Sequence, residues 1–363
     1  MSEQHVPQPK AVLITGGAGF IGTNLALSLL RSGEDVIILD DLSRAGAQDN
    51  LRFLRAQYGD RVKARVTSIN DRKALRSSLQ SCSAVFHFAA QVAVTRSLEN
   101  PLHDFEVNAG GTLALLEELR ALPERPPMVF TSTNKVYGAL EDVSLHCNEQ
   151  QYVPDAPQTA KYGISENRAL EFHSPYGCSK GAADQYVLDY ARTFGLPACV
   201  FRMSCIYGPH QHGTEDQGWL AHFLIRALQG EVLTIYGDGK QVRDVLFVED
   251  LVRAFLLARR HMQRVSGRAF NIGGGPNRTL SLLGLVQLMG SRYGLRPQIS
   301  FDEWLQSDQR YYVSDCRAFE AASGWMAAVS VEDGVDQLFQ FLCSRQLPQS
   351  TSTAAFMHAA VGG

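Results

Sequence analysis

Short apolar runs rich in β-branched residues alternate with longer amphipathic stretches along most of this chain. The runs Lys10 to Thr15, Asp35 to Leu39, Arg61 to Val66, Ala84 to Phe88, Pro127 to Thr131 and Ala198 to Met203 predict strands, most of them buried on both faces. Between them, helical spacing predicts helices over Thr23 to Ser32, Asp71 to Gln80, Asp104 to Leu122 and Gly181 to Phe194, the last preceded by a turn holding Tyr176 and Lys180. Strand alternating with helix predicts a doubly wound α/β sheet of parallel strands. The alternation loosens after residue 203. Strands are expected at Val232 to Tyr236 and Phe270 to Ile272, and helices at Gly218 to Leu228, Val248 to Arg260, Leu280 to Tyr293 and Val331 to Leu342. Residues 10–203 therefore form the main domain. Residues 204–345 form a smaller one, with some segments returning to the first. Residues 139–173 are polar, contain Pro154 and Pro157, and predict an insertion over the mouth of the site. The small, nonperiodic stretch 346–363 predicts a disordered tail.

Composition narrows the class. The chain has 363 residues, 45% of them hydrophobic, and a net charge of -3. That balance offers no broad basic surface for nucleic acid or membrane. No apolar run approaches the roughly 18 residues of a membrane span. Seven scattered cysteines without a CxxC pair predict free thiols in a reducing cytoplasm, and no zinc site. His210 and His212 share a loop but lack neighbouring acids or thiols, so a metal centre is not expected there.

Candidate chemistry starts at the first strand. Gly16, Gly19 and Gly22 follow it and open a helix, and Asp40 ends the second strand. In this context Gly16 makes the tight turn, Gly19 lets the backbone approach a pyrophosphate, and Gly22 lets the helix pack closely. The helix N-terminus supplies amide donors to the anion. Asp40 accepts from a ribose 2′-OH and repels a 2′-phosphate, which favours NAD over NADP. Arg44 nearby is the kind of residue that can accommodate such a phosphate. Ala89, Ala90 and Gln91 close the fourth strand and leave room for a flat ligand. Further on, Tyr176 and Lys180 stand one helical turn apart, on one face. A phenol titrates near about 10, and a neighbouring ammonium lowers that value, giving a general acid/base pair. Thr133 ends the fifth strand, where a hydroxyl can meet a substrate oxygen. His87 reads as a satisfied core histidine.

TGGAGFIG (Thr15 to Gly22), HFAAQ (His87 to Gln91), STNKVYG (Ser132 to Gly138), PYGCSK (Pro175 to Lys180), VRDVLFVEDL (Val242 to Leu251) and FNIGG (Phe270 to Gly274) occur in this order. Together they resemble the landmarks of the extended short-chain dehydrogenase/reductases that modify nucleotide sugars. The resemblance implies a Rossmann-type NAD domain and a smaller C-terminal substrate domain. It places the catalytic set on Thr133, Tyr176 and Lys180. Cofactor contacts fall on Gly16, Gly19, Phe20, Ile21, Gly22, Asp40, Ser43, Arg44, Ile69, Ala89, Ala90, Gln91 and Asn108, besides Tyr176 and Lys180. Ser68 replaces the family's usual adenine-contacting aspartate. Substrate contacts fall on Thr133, Asn134, Lys135, Cys205, Gln217, Gln241, Arg243 and Arg310, the two arginines on the nucleotide diphosphate. The resemblance also implies a homodimer built on the Asp104 and Tyr176 helices.

Asn134 and Lys135 stand where the 4,6-dehydratases of this group carry an Asp-Glu pair, so dehydration is disfavoured and epimerisation favoured. TSTNKVYG, His173 to Leu196, DQGWL (Asp216 to Leu220), GKQVRDVL (Gly239 to Leu246) and SDQR (Ser307 to Arg310) narrow the resemblance to the CDP-tyvelose 2-epimerases. That family inverts C2 of a CDP-hexose through a transient keto sugar. The alternatives are a UDP-hexose 4-epimerase and, in another class, a dinucleotide-sensing protein without turnover.

Overall fold

The structure is a computed structural model, and it describes residues 10–305 and 308–346. The expected tail lies outside the described residues, apart from residue 346, which ends a helix. Seven strands form the main sheet: β1 (Ala11–Thr15), β2 (Val36–Asp40), β3 (Val62–Val66), β4 (Cys82–His87), β5 (Met128–Thr133), β6 (Ala198–Met203) and β7 (Ala269–Ile272). Their spatial order is β7-β6-β5-β4-β1-β2-β3, and every pair is parallel. Strand β1 is buried at every position, as is β2, because helices cover both faces.

Helices Phe20–Arg31 and Val248–Arg260 pack one face through Leu25, Leu29, Leu251 and Phe255. The other face is covered through Leu115, Leu119, Val187 and Leu188. Each such side chain contributes about 1.5–3 kcal/mol when fully buried. Chain order reverses between β1 and β4, since β2 and β3 lie on one side of β1 and β4 on the other. An open α/β sheet binds its ligand at that reversal, beyond the carboxyl ends of the strands.

The C-terminal part returns to this sheet through β7 and contributes Phe319 and Trp325 to the first face. Elsewhere it builds its own layer. Val242–Phe247 pairs in parallel with Cys205–Tyr207 and Tyr311–Tyr312, and antiparallel with Thr279–Ser281. Leu233–Tyr236 pairs with Ile299–Asp302. A separate apolar cluster around Phe223, Ile235, Phe247 and Leu338 holds this part together.

Three sequence expectations change. A helix at Ala47–Tyr58, which the apolar runs did not mark, links β2 to β3. The single helix expected over Asp104 to Leu122 begins at Pro101 and is interrupted by a π-helical turn, Glu106–Gly110. Gly111 there needs its missing side chain, because a Cβ would meet Ile69 at 2.7 Å; Gly110 has no such crowding. The 139–173 segment, expected only as an insertion, has secondary structure of its own. It carries a hairpin, Leu145–Cys147 with Tyr152–Pro154, and a helix, Pro157–Tyr162. Backbone bonds tie it down at Tyr152 to Lys240 and at Ile164 to Val313.

Candidate active site

The glycine turn brings β1, the first helix and β4 together. Gly16 has φ of 65°, a left-handed conformation. A Cβ on it would lie 2.7 Å from the Ala89 amide nitrogen, so the first βα turn and the end of β4 meet there. Gly22 likewise presses on Gly17. Gly19 caps the helix Phe20–Arg31 with an extended backbone, leaving the first-turn amides directed at the crevice. The crevice is a cavity of about 500 Å³. Gly16, Gly19, Phe20, Ile21, Gly22, Asp40, Ser43, Arg44, Ile69, Ala89, Ala90 and Gln91 all line it, and Tyr176 and Lys180 close its inner end. Asn108 does not line it. It lies behind Gln91, accepting from that residue's amide at 2.9 Å and donating to its carbonyl at 3.0 Å.

Asp40 accepts from the amides of Ala18 at 2.9 Å and Leu42 at 2.8 Å. Burial raises its pKa, and these amide bonds hold it back. Its remaining lone pairs can receive a ribose hydroxyl. The glycine cradle, the free helix N-terminus and this carboxylate fit the pyrophosphate and adenosine ribose of NAD. Arg44 does not turn to that ribose. Its guanidinium reaches across the crevice to Gln217 at 2.5 Å, and its charge acts on Tyr176. Gln217 thus lines the same crevice as Tyr176 and Lys180.

Tyr176 and Lys180 belong to one helix, Ser174–Phe194, and both are buried. Burial pushes the Tyr176 phenol up to about 12; a hydrogen bond with Thr133 and the Arg44 charge oppose this, while Asp104 adds to it. Lys180 falls to about 7 through burial, with Asp184 and Asp104 pulling it back. Its Nζ donates to the Thr131 carbonyl at 2.7 Å and sits 4.3 Å from the centre of the Phe130 ring. The sequence expectation that Lys180 depresses the Tyr176 pKa is therefore not met in this structure. The lysine is turned toward β5, and Thr133 and Arg44 do that work. His87 is a satisfied core residue, bonded to Thr15 at 2.6 Å and Thr112 at 3.0 Å.

The remaining candidates gather beyond Thr133. Thr133 meets Asn134 at 3.3 Å, and Asn134 donates to Gln309 at 3.0 Å. Lys135 lies 3.5 Å from Asp308, and Arg243 donates to the same carboxylate at 2.7 Å. Asp308 is thus the anion shared by the buried Arg243 and the half-buried Lys135, and their charges lower its pKa against burial. Arg310 is exposed, its guanidinium between the rings of Tyr152 and Trp304 at 5.7 and 5.4 Å. The Cys205 sulfur receives the Trp219 indole at 3.4 Å, and burial raises its pKa. Gln241 donates through Nε2 to the Tyr236 carbonyl at 2.7 Å, while its buried Oε1 has no partner. No cluster of metal-ligating side chains occurs among the described residues, and His210 packs between Phe53 and Phe341.

Sequence reasoning missed Asp308, Gln309, Asp104 and Ser179. The only sequence signal for Asp308 and Gln309 is the SDQR motif. Asp104 and Ser179 lie 75 positions apart, so no local pattern joins them.

A CDP-paratose 2-epimerase from Salmonella typhi is 43% identical over 340 residues, which is 92% of this chain and 99% of that protein. The crystal structure of a UDP-glucose 4-epimerase from Thermotoga maritima, solved with UDP-glucose, has a TM-score of 0.79 and 29% identity, covering 93% of this chain and 100% of its own. A UDP-glucose 4-epimerase from Thermus thermophilus, solved with NAD, has a TM-score of 0.75 and 27% identity, covering 92% and 99%. Residues 12–273 match the model of one family, and the chain belongs to it: the NAD dependent epimerase/dehydratase family.

Proposed function

We propose that this protein is an NAD-dependent nucleotide-sugar epimerase that inverts C2 of a CDP-hexose, converting CDP-paratose to CDP-tyvelose. The observation that carries the choice of sugar is the 43% identity to a CDP-paratose 2-epimerase along nearly the whole of both chains. The site is compatible with it. Asn134 and Lys135 are an amide and an ammonium, held by Gln309 and Asp308, and neither supplies the acid and base that elimination of water needs.

Bound NAD supplies the acceptor and later the donor of one hydride. The chain does the rest. Tyr176, as phenolate, takes the proton of the C2 hydroxyl as C2 loses hydride, leaving a 2-keto sugar. Thr133 bonds that oxygen. Lys180 holds the nicotinamide ribose and favours the phenolate. Arg243 and Arg310 hold the diphosphate while the keto sugar turns, and Asp308 gives up its cations to that stronger anion. With the hydride given back to the opposite face, Tyr176 would return the proton, and the reaction would be redox-neutral overall. Burial alone leaves Tyr176 protonated at neutral pH. A cation is needed beside it, and Lys180 must leave Thr131 to provide one.

Proton NMR of CDP-paratose incubated with the NAD-loaded protein in deuterated water tests the proposal. C2 should invert without taking up deuterium, since the hydrogen travels on the protein's own cofactor. An unchanged C2 refutes the substrate, inversion of UDP-glucose at C4 establishes the alternative, and deuterium at C2 refutes hydride return.

A homodimer is proposed from the same helices. Leu98, Leu102, Phe105 and Tyr186 are 48%, 77%, 57% and 44% exposed on the helices around Asp104 and Tyr176, an apolar surface that a second copy would cover. Sedimentation equilibrium at twice the chain mass checks it. The free state of all seven cysteines supports a cytoplasmic location.

A further inference from the structure

Asp104 lies near the end of the short helix Pro101–Phe105 and has no exposed surface, although its neighbours Leu102 and Phe105 face outward. Its Oδ1 accepts from Gln91 Nε2 at 2.9 Å and from Asn108 Nδ2 at 3.1 Å. Its Oδ2 accepts from the Ser179 hydroxyl. All three donors are neutral. A buried carboxylate held only by neutral donors is costly unless a positive charge stands near. The next residue after Ser179 is Lys180, itself buried, and the residue three before is Tyr176.

The contacts also explain the π-helical turn that follows. Glu106–Gly110 swings Asn108 so that its side chain bridges Asp104, Ser179 and the Gln91 backbone at once. Such turns often mark functional positions in helices. One end of this network is the cofactor crevice at Gln91; the other is the catalytic helix.

We infer that Asp104 is a positioning residue for the epimerase reaction: its buried negative charge favours the ammonium form of Lys180, and its bond to Ser179 fixes the first turn of the helix that carries Lys180 and Tyr176. This rests on the epimerase reading above. The charge acts on both catalytic groups in one direction, favouring the protonated lysine and the protonated phenol. The other groups facing the pair are Arg44 from the loop after β2, His87 from β4, and Asp184 on the same helix, which is itself paired with Arg202 of β6. Arg96, Glu99, His103 and Glu106 on the packed elements are exposed to solvent, which screens them.

Asp104→Asn removes the charge and keeps the shape. Its carbonyl can still receive Gln91 and Asn108. Its amide can donate to Ser179, whose proton then turns to the Tyr176 carbonyl, already 3.2 Å away. The experiment is the pH profile of kcat/KM for the NAD-loaded variant, on the nucleotide sugar that the wild type epimerises. Both limbs are expected to move to lower pH by about one unit, the acid limb because the phenol ionises more easily and the alkaline limb because the lysine loses its proton more easily. Ser179→Ala, which keeps the charge, should lower kcat and leave both limbs in place.

Unmoved limbs in a folded Asp104→Asn protein that still binds NAD overturn the proposal. So does a Ser179→Ala profile that moves as far as the Asp104→Asn one. Asp104→Ser is the second neutral variant; if neither neutral variant folds, Asp104 is a structural residue and the proposal fails. A wild type inactive on CDP-paratose but active on another nucleotide sugar sinks the substrate assignment alone, since the profiles can then be read on that sugar.

Discussion

Replacing Lys180 with methionine should abolish turnover and yet stabilise the cofactor-stripped protein near neutral pH. Lys180 is 3% exposed, and burial lowers its pKa to about 7. In the unfolded chain the same ammonium titrates at about 10.4. Between those values unfolding takes up a proton, so the lysine's contribution is neutral above about pH 10 and grows more unfavourable as pH falls towards 7. At about 1.4 kcal/mol per pH unit, the lysine destabilises the folded state by about 4 kcal/mol at pH 7. Methionine removes that cost. It also leaves the Thr131 carbonyl without its donor and the Phe130 ring without its cation, a loss of about 2 kcal/mol. The variant should therefore be more stable than wild type by about 2 kcal/mol at pH 7, and that advantage should vanish by pH 10, where the folded lysine is already neutral and only its hydrogen bond to Thr131 is lost. Urea unfolding of both cofactor-stripped proteins from pH 7 to pH 10 measures the difference. Groups such as Tyr176, which titrate in both proteins, largely cancel from it. A difference that does not vary with pH, or a methionine variant less stable throughout, would refute the reasoning.

Three further outcomes follow from named contacts. Gly16→Ala places a Cβ 2.7 Å from the Ala89 amide at a φ of 65°; strain of about 1–3 kcal/mol is expected, together with weaker NAD binding in a fluorescence titration. Arg202→Met strands Asp184, which is fully buried and receives both Nε and Nη2 of that arginine at 2.9 Å; a loss of about 3–5 kcal/mol in urea unfolding is expected. Arg243→Met removes a buried guanidinium proposed to hold the diphosphate, and should raise KM by about 10–100-fold with NAD affinity unchanged, read from initial rates and cofactor titration.

The nucleotide half of this site was legible because its signals are local. A glycine turn, the strand before it and the acid after the next strand lie within about thirty residues, and each is fixed by backbone sterics or by burial on both faces. Helix Ala47–Tyr58 escaped because its buried residues, Ala47, Asn50, Leu51 and Leu54, make a narrow stripe in an otherwise polar segment. The catalytic half was legible only as identities. One-turn spacing put Tyr176 and Lys180 on one face, and the structure keeps them there. Their protonation is another matter, since it depends on groups far away in sequence: Asp104, Thr131, Thr133 and Arg44. Spacing suggested a lysine that lowers its neighbour's pKa. Burial instead brings the lysine down to about 7 and makes the phenol harder to ionise, so burial alone sets the site against its own chemistry. What the fold supplies in return is a preset environment: an anion at Asp104 to hold the lysine's proton, and a carbonyl at Thr131 to hold its ammonium until a ribose takes over. On the proposed mechanism, the ribose of a bound cofactor would draw Lys180 from the Thr131 carbonyl towards Tyr176.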